Sequence, residues 1–337
     1  MVTTQARNAE PASTQSQLET FWQGVTHAKL AVGFGKELAY GYICHPKAKQ
    51  AVVISNGRVE SYLKYRELIH DFYQQGYSVY ALDHMGQGLS SRLTANPHQG
   101  HIDKFQDYVD HLHSFVEQVV VSNQYEQYFL VGHSMGGAIG TLYLQQYPQR
   151  FTAAAFSAPM YGIRLPMPRN FVRWLAGKLN SYGPHTEPNY VLSGHDYRPL
   201  AFKDNQLTHS KSRYQALLDL CQQHPEIQLG SPTNQWLIEA LDACEQTITA
   251  ARESRVPILI IQAEQDTIVD NQAQIAALGP KVTLEKIMGA RHELFIEIDT
   301  LREQVLNIIF NFLAQHTVTY ASEAAAELQT QPQAEAD

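Results

Sequence analysis

Tyr128-Phe129-Leu130-Val131-Gly132-His133-Ser134-Met135-Gly136-Gly137 is the stretch on which the reading turns. Four apolar residues make a strand-like run, a G-x-S-x-G pentapeptide follows, and a helical pattern covers Gly137–Tyr147. Strand, sharp turn and helix in this order hold a serine on a strained elbow. Gly132 and Gly136 suit the turn because a side chain at either place would collide with the backbone around it. The helix directs its first unpaired N–H groups at the serine, where they favour negative charge. The pentapeptide by itself also occurs in ordinary loops; its flanking strand and helix make Ser134 the candidate nucleophile.

Outward from the elbow, similar apolar runs recur at Ala51–Ile54, Val79–Leu82, Ala153–Phe156, Ile258–Ile261 and Val282–Ile287. They are short and bounded by Gly, Pro or polar residues, as strands are. Nearly continuous apolarity, rather than alternation, suits strands covered on both faces. Helical patterns lie between them at Leu63–Gln75, Phe105–Val121 and Leu301–Gln315. The alternation predicts an α/β fold, a mostly parallel sheet with helices on both faces. From Tyr161 to Arg252 the rhythm breaks: prolines and two helical patterns, Ser210–Gln223 and Gln235–Arg252, replace it. This segment, 161–252, reads as a cap inserted into a catalytic domain made of 17–160 and 253–316. Residues 1–16 read as a flexible arm. Residues 317–337, rich in Ala, Glu and Gln, read as a disordered tail with too few apolar residues to offset ordering entropy.

A free serine is a weak nucleophile and needs a base, itself oriented by an acid. On such a sheet the partners follow in the order Ser, acid, His. After Ile258–Ile261 comes Gln262-Ala263-Glu264-Gln265-Asp266-Thr267-Ile268-Val269-Asp270. Asp266 lies at the right distance for the turn leaving the strand; Asp270 and Glu264 are the runners-up. After Val282–Ile287 comes Met288-Gly289-Ala290-Arg291-His292-Glu293, which offers His292 from a glycine-bearing loop before the last helix. Of the 15 histidines, His84, His98, His101, His111 and His113 have no comparable placement. Two backbone N–H groups should hold the oxyanion: that of Met135 and that of Arg58, in the loop after Ala51–Ile54. Asp83-His84-Met85-Gly86-Gln87-Gly88 lacks the spacing of a phosphate-binding loop and reads as a structural turn.

Bulk properties narrow the class. The 337 residues are 44% hydrophobic and 17% charged, enough for a large core. A net charge of −8 argues against a nucleic-acid protein. Cys44, Cys221 and Cys244 are scattered and in no metal-ligand spacing. The first residues have no signal-peptide core, and no apolar run approaches the ~18 residues of a membrane span. These features predict a cytoplasmic protein without metal or organic cofactor.

Three stretches carry a family resemblance. Asn56-Gly57-Arg58-Val59-Glu60-Ser61-Tyr62-Leu63-Lys64-Tyr65, Asp83–Gly88 and Gly132–Gly137 resemble the bacterial lysophospholipase L2 family, within the monoacylglycerol-lipase-like, serine aminopeptidase S33-type group of α/β hydrolases. Leu207-Thr208-His209-Ser210, Arg213-Tyr214 and Gly230–Trp236 extend the resemblance into the insertion, so that it covers about Phe21 to Gln315. The wider group usually has His-Gly at Asn56-Gly57 and Arg at His84. Relatives with Glu in place of Asp266 keep the later Asp, which leaves Asp270 in contention. The resemblance implies the α/β-hydrolase fold and hydrolysis of a lysophospholipid acyl ester, with acyl transfer to another lipid hydroxyl as a second fate. A monoacylglycerol lipase or broad carboxylesterase is the alternative. Other chemistry on the same fold, or a binding protein with a relic elbow, are more distant readings.

One further expectation concerns lipid. Between Met160 and Thr186 the chain carries Arg164, Arg169, Arg173 and Lys178 and no acid. If Asn170–Asn180 is helical, Phe171, Trp174, Leu175 and Leu179 share a face. That face either packs on the catalytic domain or forms a lid meeting an anionic membrane, on the inner face of the cytoplasmic membrane.

Overall fold

The computed structural model describes residues 11–181 and 186–317. The expected tail from residue 318 therefore lies outside the described residues. So does most of the expected N-terminal arm; its end, however, joins helix α1, Pro11–Trp22.

A hairpin opens the sheet, β1 (Thr26–Gly33) and β2 (Lys36–Ile43), turning through Phe34 at φ 51°. Then come β3 (Gln50–Ser55), α2 (Arg66–Gln74), β4 (Ser78–Leu82), α3 (Phe105–Phe115), β5 (Gln127–His133), α4 (Met135–Gln146) and β6 (Ala153–Ser157). Helices α5 (Arg169–Leu179), α6 (Lys211–Gln223) and α7 (Asn234–Arg252) follow. The chain closes with β7 (Ile258–Ala263), α8 (Asn271–Ala276), β8 (Val282–Ile287) and α9 (Asp299–Gln315). The eight strands lie in the order β1-β2-β4-β3-β5-β6-β7-β8. From β4 to β8 all neighbours are parallel, while β1 and β2 pair antiparallel at one edge. This is the α/β-hydrolase architecture.

The central strands are buried along almost their whole length. Their Val, Ile, Leu, Ala and Phe side chains feed one continuous core with α2, α3, α4 and α9. Strand order reverses between β3 and β5, where Ser55 pairs with Gly132. Ligands collect at the carboxyl ends of strands at such a switch point, because the loops diverge there and leave a crevice.

Two helices differ from their sequence patterns. The run expected as one helix over Leu63–Gln75 begins as a tighter 3₁₀ turn at Tyr62–Tyr65, started by Ser61 accepting from the Leu63 N–H, and continues as α2. The run Phe105–Val121 is α-helical only to Phe115 and then widens into a π turn over Val116–Val120. In the inserted segment, α7 lies against α4, and its buried Ala240, Ala243, Cys244, Thr247 and Ala251 are small enough to allow close approach. By its packing α7 belongs as much to the layer on the sheet as to the region above the site. Among the described residues, no helix is long and apolar enough to cross a membrane.

Candidate active site

The elbow is built by glycine and strain. Ser134 sits at φ 49°, ψ −117°, a conformation that L-residues rarely adopt and that needs surrounding structure to hold it. Its N–H donates to Ser157 O at 3.0 Å, and its carbonyl accepts from Met160 N at 2.9 Å. A Cβ on Gly132 would stand 2.9 Å from Gly136 O and Gly137 N. A Cβ on Gly136 would stand 2.0 Å from Ser55 O, so the elbow rests directly on the end of β3. That contact brings Met135, the first residue of α4, beside the loop that carries Arg58. The first amides of a helix have no partner inside it and are free to bind an anion.

Ser134, His292 and Asp266 come together in one hydrogen-bonded line. His292 Nε2 lies 3.0 Å from Ser134 Oγ, and His292 Nδ1 lies 2.7 Å from Asp266 Oδ2. All three are buried. Asp266 Oδ1 accepts from the N–H groups of Ile268 and Val269 at 2.8 and 3.0 Å. Burial drives the Asp266 carboxyl upward; the bond and charge of His292, with these two amides, outweigh it and keep the group below its ordinary value. The runners-up lie elsewhere. Asp270 caps α8 through Gln272 N at 2.9 Å, and Glu264 accepts from Gly289 N on the surface at 2.8 Å.

Beneath the loop after β3, Asp83 Oδ1 accepts from Asn56 Nδ2 and Tyr62 N, and Oδ2 from Ser61 Oγ and Leu89 N. The turn after β4 therefore tethers the loop after β3. Gly88, at φ 55°, is required there, because a Cβ would fall 2.1 Å from Asp83 Oδ2. His84 Nε2 meets Ser55 Oγ at 2.9 Å.

A second buried cluster had no signal beyond the four-residue spacing of Glu60 and Lys64. Glu60 accepts from Gly57 N and from Tyr65 OH. Lys64 Nζ bonds both Glu60 and Glu293, the latter at 2.6 Å. The cluster ties the loop that carries Arg58 to the residue following His292. His133, whose ring centroid lies 4.8 Å from that of His292, approaches Glu293 Oε2 at 3.4 Å. Burial holds His133 at about 3, hence neutral. Glu60, His133 and Glu293 are close enough to share a metal ion, yet the Lys64 ammonium already supplies positive charge between the two carboxylates.

A cavity of about 500 Å³ opens from Ser134 under the inserted segment. Met160, Ile163, Leu217, Leu218, Leu229 and Leu237 give it an apolar wall. A serine, a histidine and an aspartate in one hydrogen-bonded line at one end of an apolar cavity have the geometry that acyl-group chemistry on an aliphatic substrate needs.

Fold and sequence together define an α/β hydrolase. The family model for serine aminopeptidase, S33, matches residues 46–299. Lysophospholipase L2 of Escherichia coli (strain K12) is 36% identical, over 92% of this chain and 93% of its own length. The probable lysophospholipase L2 of Haemophilus influenzae is also 36% identical, over 82% of this chain and 88% of its own. A soluble variant of monoglyceride lipase from Saccharomyces cerevisiae, solved with a substrate analog, superposes with TM-score 0.68 at 19% identity, covering 87% of this chain and 97% of that one. The chain belongs to the serine aminopeptidase S33 family, with lysophospholipases L2 among its relatives.

Proposed function

We propose that this hydrolase is a lysophospholipase that cleaves the single acyl ester of its substrate through an acyl-enzyme on Ser134. The observation that carries the reading is the Ser134–His292–Asp266 line at the mouth of an apolar cavity. Likeness to lysophospholipases L2 over nearly the whole chain supports the substrate class.

In this mechanism Ser134 Oγ attacks the ester carbonyl and gives its proton to His292 Nε2. Asp266 keeps the imidazole in the tautomer that leaves Nε2 free and stabilises the imidazolium. The N–H groups of Met135 and Arg58 receive the oxyanion, each contributing a factor of ~10²–10³ to turnover. His292 then protonates the departing glycerol oxygen. Next it activates water to release the fatty acid; a lipid hydroxyl in place of water gives acyl transfer.

The test is a panel of lysophosphatidylethanolamine, lysophosphatidylcholine, monoglyceride and short esters. Lysophospholipids should show the highest kcat/KM. Ser134→Ala should abolish turnover and fluorophosphonate labelling while the protein stays folded. A wild-type enzyme that cleaves monoglyceride and leaves lysophospholipids intact is a monoacylglycerol lipase instead.

Contact with a lipid surface belongs to the same proposal and is supported by the aromatic face of α5. Arg169 pairs with Glu245 and Arg173 with Asp242 on α7, so these two cations are largely neutralised. The aromatic face does not pack inward: Phe171 is 45% and Trp174 55% exposed. Exposed aromatics beside Leu179 and Met167 form the kind of patch that enters a bilayer interface. Phe171→Ser with Trp174→Ser should weaken vesicle binding and spare activity on a soluble ester. Vesicle binding equal to wild type removes this part of the proposal.

A further inference from the structure

The charges around the cavity balance in number but are not all paired locally. Lys64 is matched by Glu60 and Glu293. Asp196 accepts from Tyr190 OH and Asn96 Nδ2 at the exposed rim, where Arg198 faces it. Arg58 is the one without an acidic partner beside it. Its Nη2 donates to Gly230 O at 2.6 Å, and its guanidinium carbon lies 5.1 Å from the Trp236 ring centroid. Gly100 presses against it so closely that a Cβ there would stand 2.5 Å from Nη2. Its Nε is buried and has no acceptor among the described residues. No carboxylate among the described residues pairs with it, although the side chain lines the cavity beside Ser134.

An enclosed cation without a counter-charge is costly unless something supplies the missing anion. Burial lowers the Arg58 guanidinium to about 10, so it remains charged at neutral pH. A fatty acyl chain or a neutral glycerol brings no anion. A lysophospholipid does. Counted along its glycerol backbone, the phosphorus lies as many bonds from the ester carbonyl carbon as the Arg58 guanidinium carbon lies from the Arg58 backbone nitrogen. Glyceryl spacer and arginine side chain thus match in length, so a substrate lying along the side chain from the Arg58 N–H would set its phosphate beside the guanidinium. Guanidinium offers a planar fork of donors matched to phosphate oxygens.

We propose that the Arg58 side chain binds the phosphodiester of the substrate and is the residue that favours lysophospholipids over neutral monoacylglycerols. One residue then reads both ends of the glyceryl unit, the oxyanion with its backbone and the phosphate with its side chain. The proposal rests on the lysophospholipase reading above. Gly230 O and Trp236, both from the inserted segment, hold the guanidinium in place at the cavity wall.

The experiment measures kcat/KM for 1-acyl lysophosphatidylethanolamine and for monoacylglycerol of the same acyl chain, in wild type, Arg58→Gln and Arg58→Lys. A lost charge-assisted bond should lower the lysophospholipid-to-monoglyceride ratio by ~10–100-fold in Arg58→Gln, mostly through KM. Arg58→Lys should recover part of the ratio. In a separate arm, glycerophosphocholine should compete with a short ester in wild type and much less in Arg58→Gln. An equal fall on both substrates, with unchanged competition, overturns the proposal and leaves the side chain a clamp between loop and cap. If wild type itself leaves lysophospholipid uncleaved, the functional reading fails first, and the competition arm still decides whether Arg58 binds a phosphodiester.

Discussion

Asp266→Asn should do more harm than loss of one charge would suggest, because the surroundings dictate how the amide sits. In the folded protein Asp266 Oδ1 accepts from two backbone N–H groups, of Ile268 and Val269, and Oδ2 faces His292 Nδ1 at 2.7 Å. An asparagine must keep its oxygen toward the two amides, since the reverse orientation would set donor against donor twice. Its NH₂ then faces His292 Nδ1, which has to accept. The ring proton moves to Nε2, the atom 3.0 Å from Ser134 Oγ, and that nitrogen can no longer take the serine proton. A wrong tautomer of this kind lowers kcat by ~10⁴, about 5 kcal/mol of barrier. The assay is kcat and KM on a soluble short-chain ester, so that lipid presentation plays no part, with fluorophosphonate labelling rates alongside. Asp270→Ala is the control: it removes the cap of α8, costs about 1 kcal/mol of stability, and leaves kcat/KM near wild type. A loss under tenfold in Asp266→Asn, or a larger loss in Asp270→Ala, would refute the tautomer argument.

Three other perturbations probe the supports of the site. Gly136→Ala places a methyl 2.0 Å from Ser55 O, and since backbone cannot swing aside, elbow and oxyanion loop must separate; kcat should fall by ~10²–10³ with little change in KM. Lys64→Met leaves Glu60 and Glu293 buried without their cation, which should cost ~3–5 kcal/mol and lower Tm by on the order of 10 °C, whereas Lys64→Arg should keep most of the stability. His84, held at about 3 by burial and then by the nearby His111, stays neutral in the fold while an unfolded histidine protonates near 6.5. The unfolded chain therefore takes up the proton first, so this stability is full above 6.5 and drains away as pH falls toward 3. Calorimetry of His84→Gln should show a shallower fall of Tm between about pH 7 and 4 than wild type; parallel curves would contradict it.

Legibility in the sequence followed solvent exposure and sequence distance. The parallel strands were readable because a strand covered on both faces is apolar at nearly every position, as Val52, Val53 and Ile54 are. The hairpin of β1 and β2 has no such signal: β1 is exposed or half-exposed throughout, and Lys29 and His27 interrupt any apolar run. Ser134, Asp266 and His292 were readable because each follows a legible strand within a few residues. Glu60, Lys64 and Glu293 were not, since an ion pair spanning 229 positions leaves no local pattern. The π turn at Val116–Val120 likewise keeps the helical apolar rhythm that α3 sets.

The helix α5 shows where amphipathic pattern stops short of function. The spacing of Phe171, Trp174, Leu175 and Leu179 marks a common face, but periodicity carries no information about what that face meets. Its direction is decided by the other side of the helix. Arg169 and Arg173 reach Glu245 and Asp242 on α7, Arg169 also donates to Leu241 O, and Ala176 is small enough to let α5 settle close. A charged face that docks turns the aromatic face to solvent. Two of the four cations, Arg169 and Arg173, are thus the fastening, and Phe171 and Trp174 are exposed surface. The same reversal governs Arg58: its backbone alone attracted attention in sequence, while the unmatched charge of its side chain becomes visible only when the acids around the cavity have been assigned to other partners.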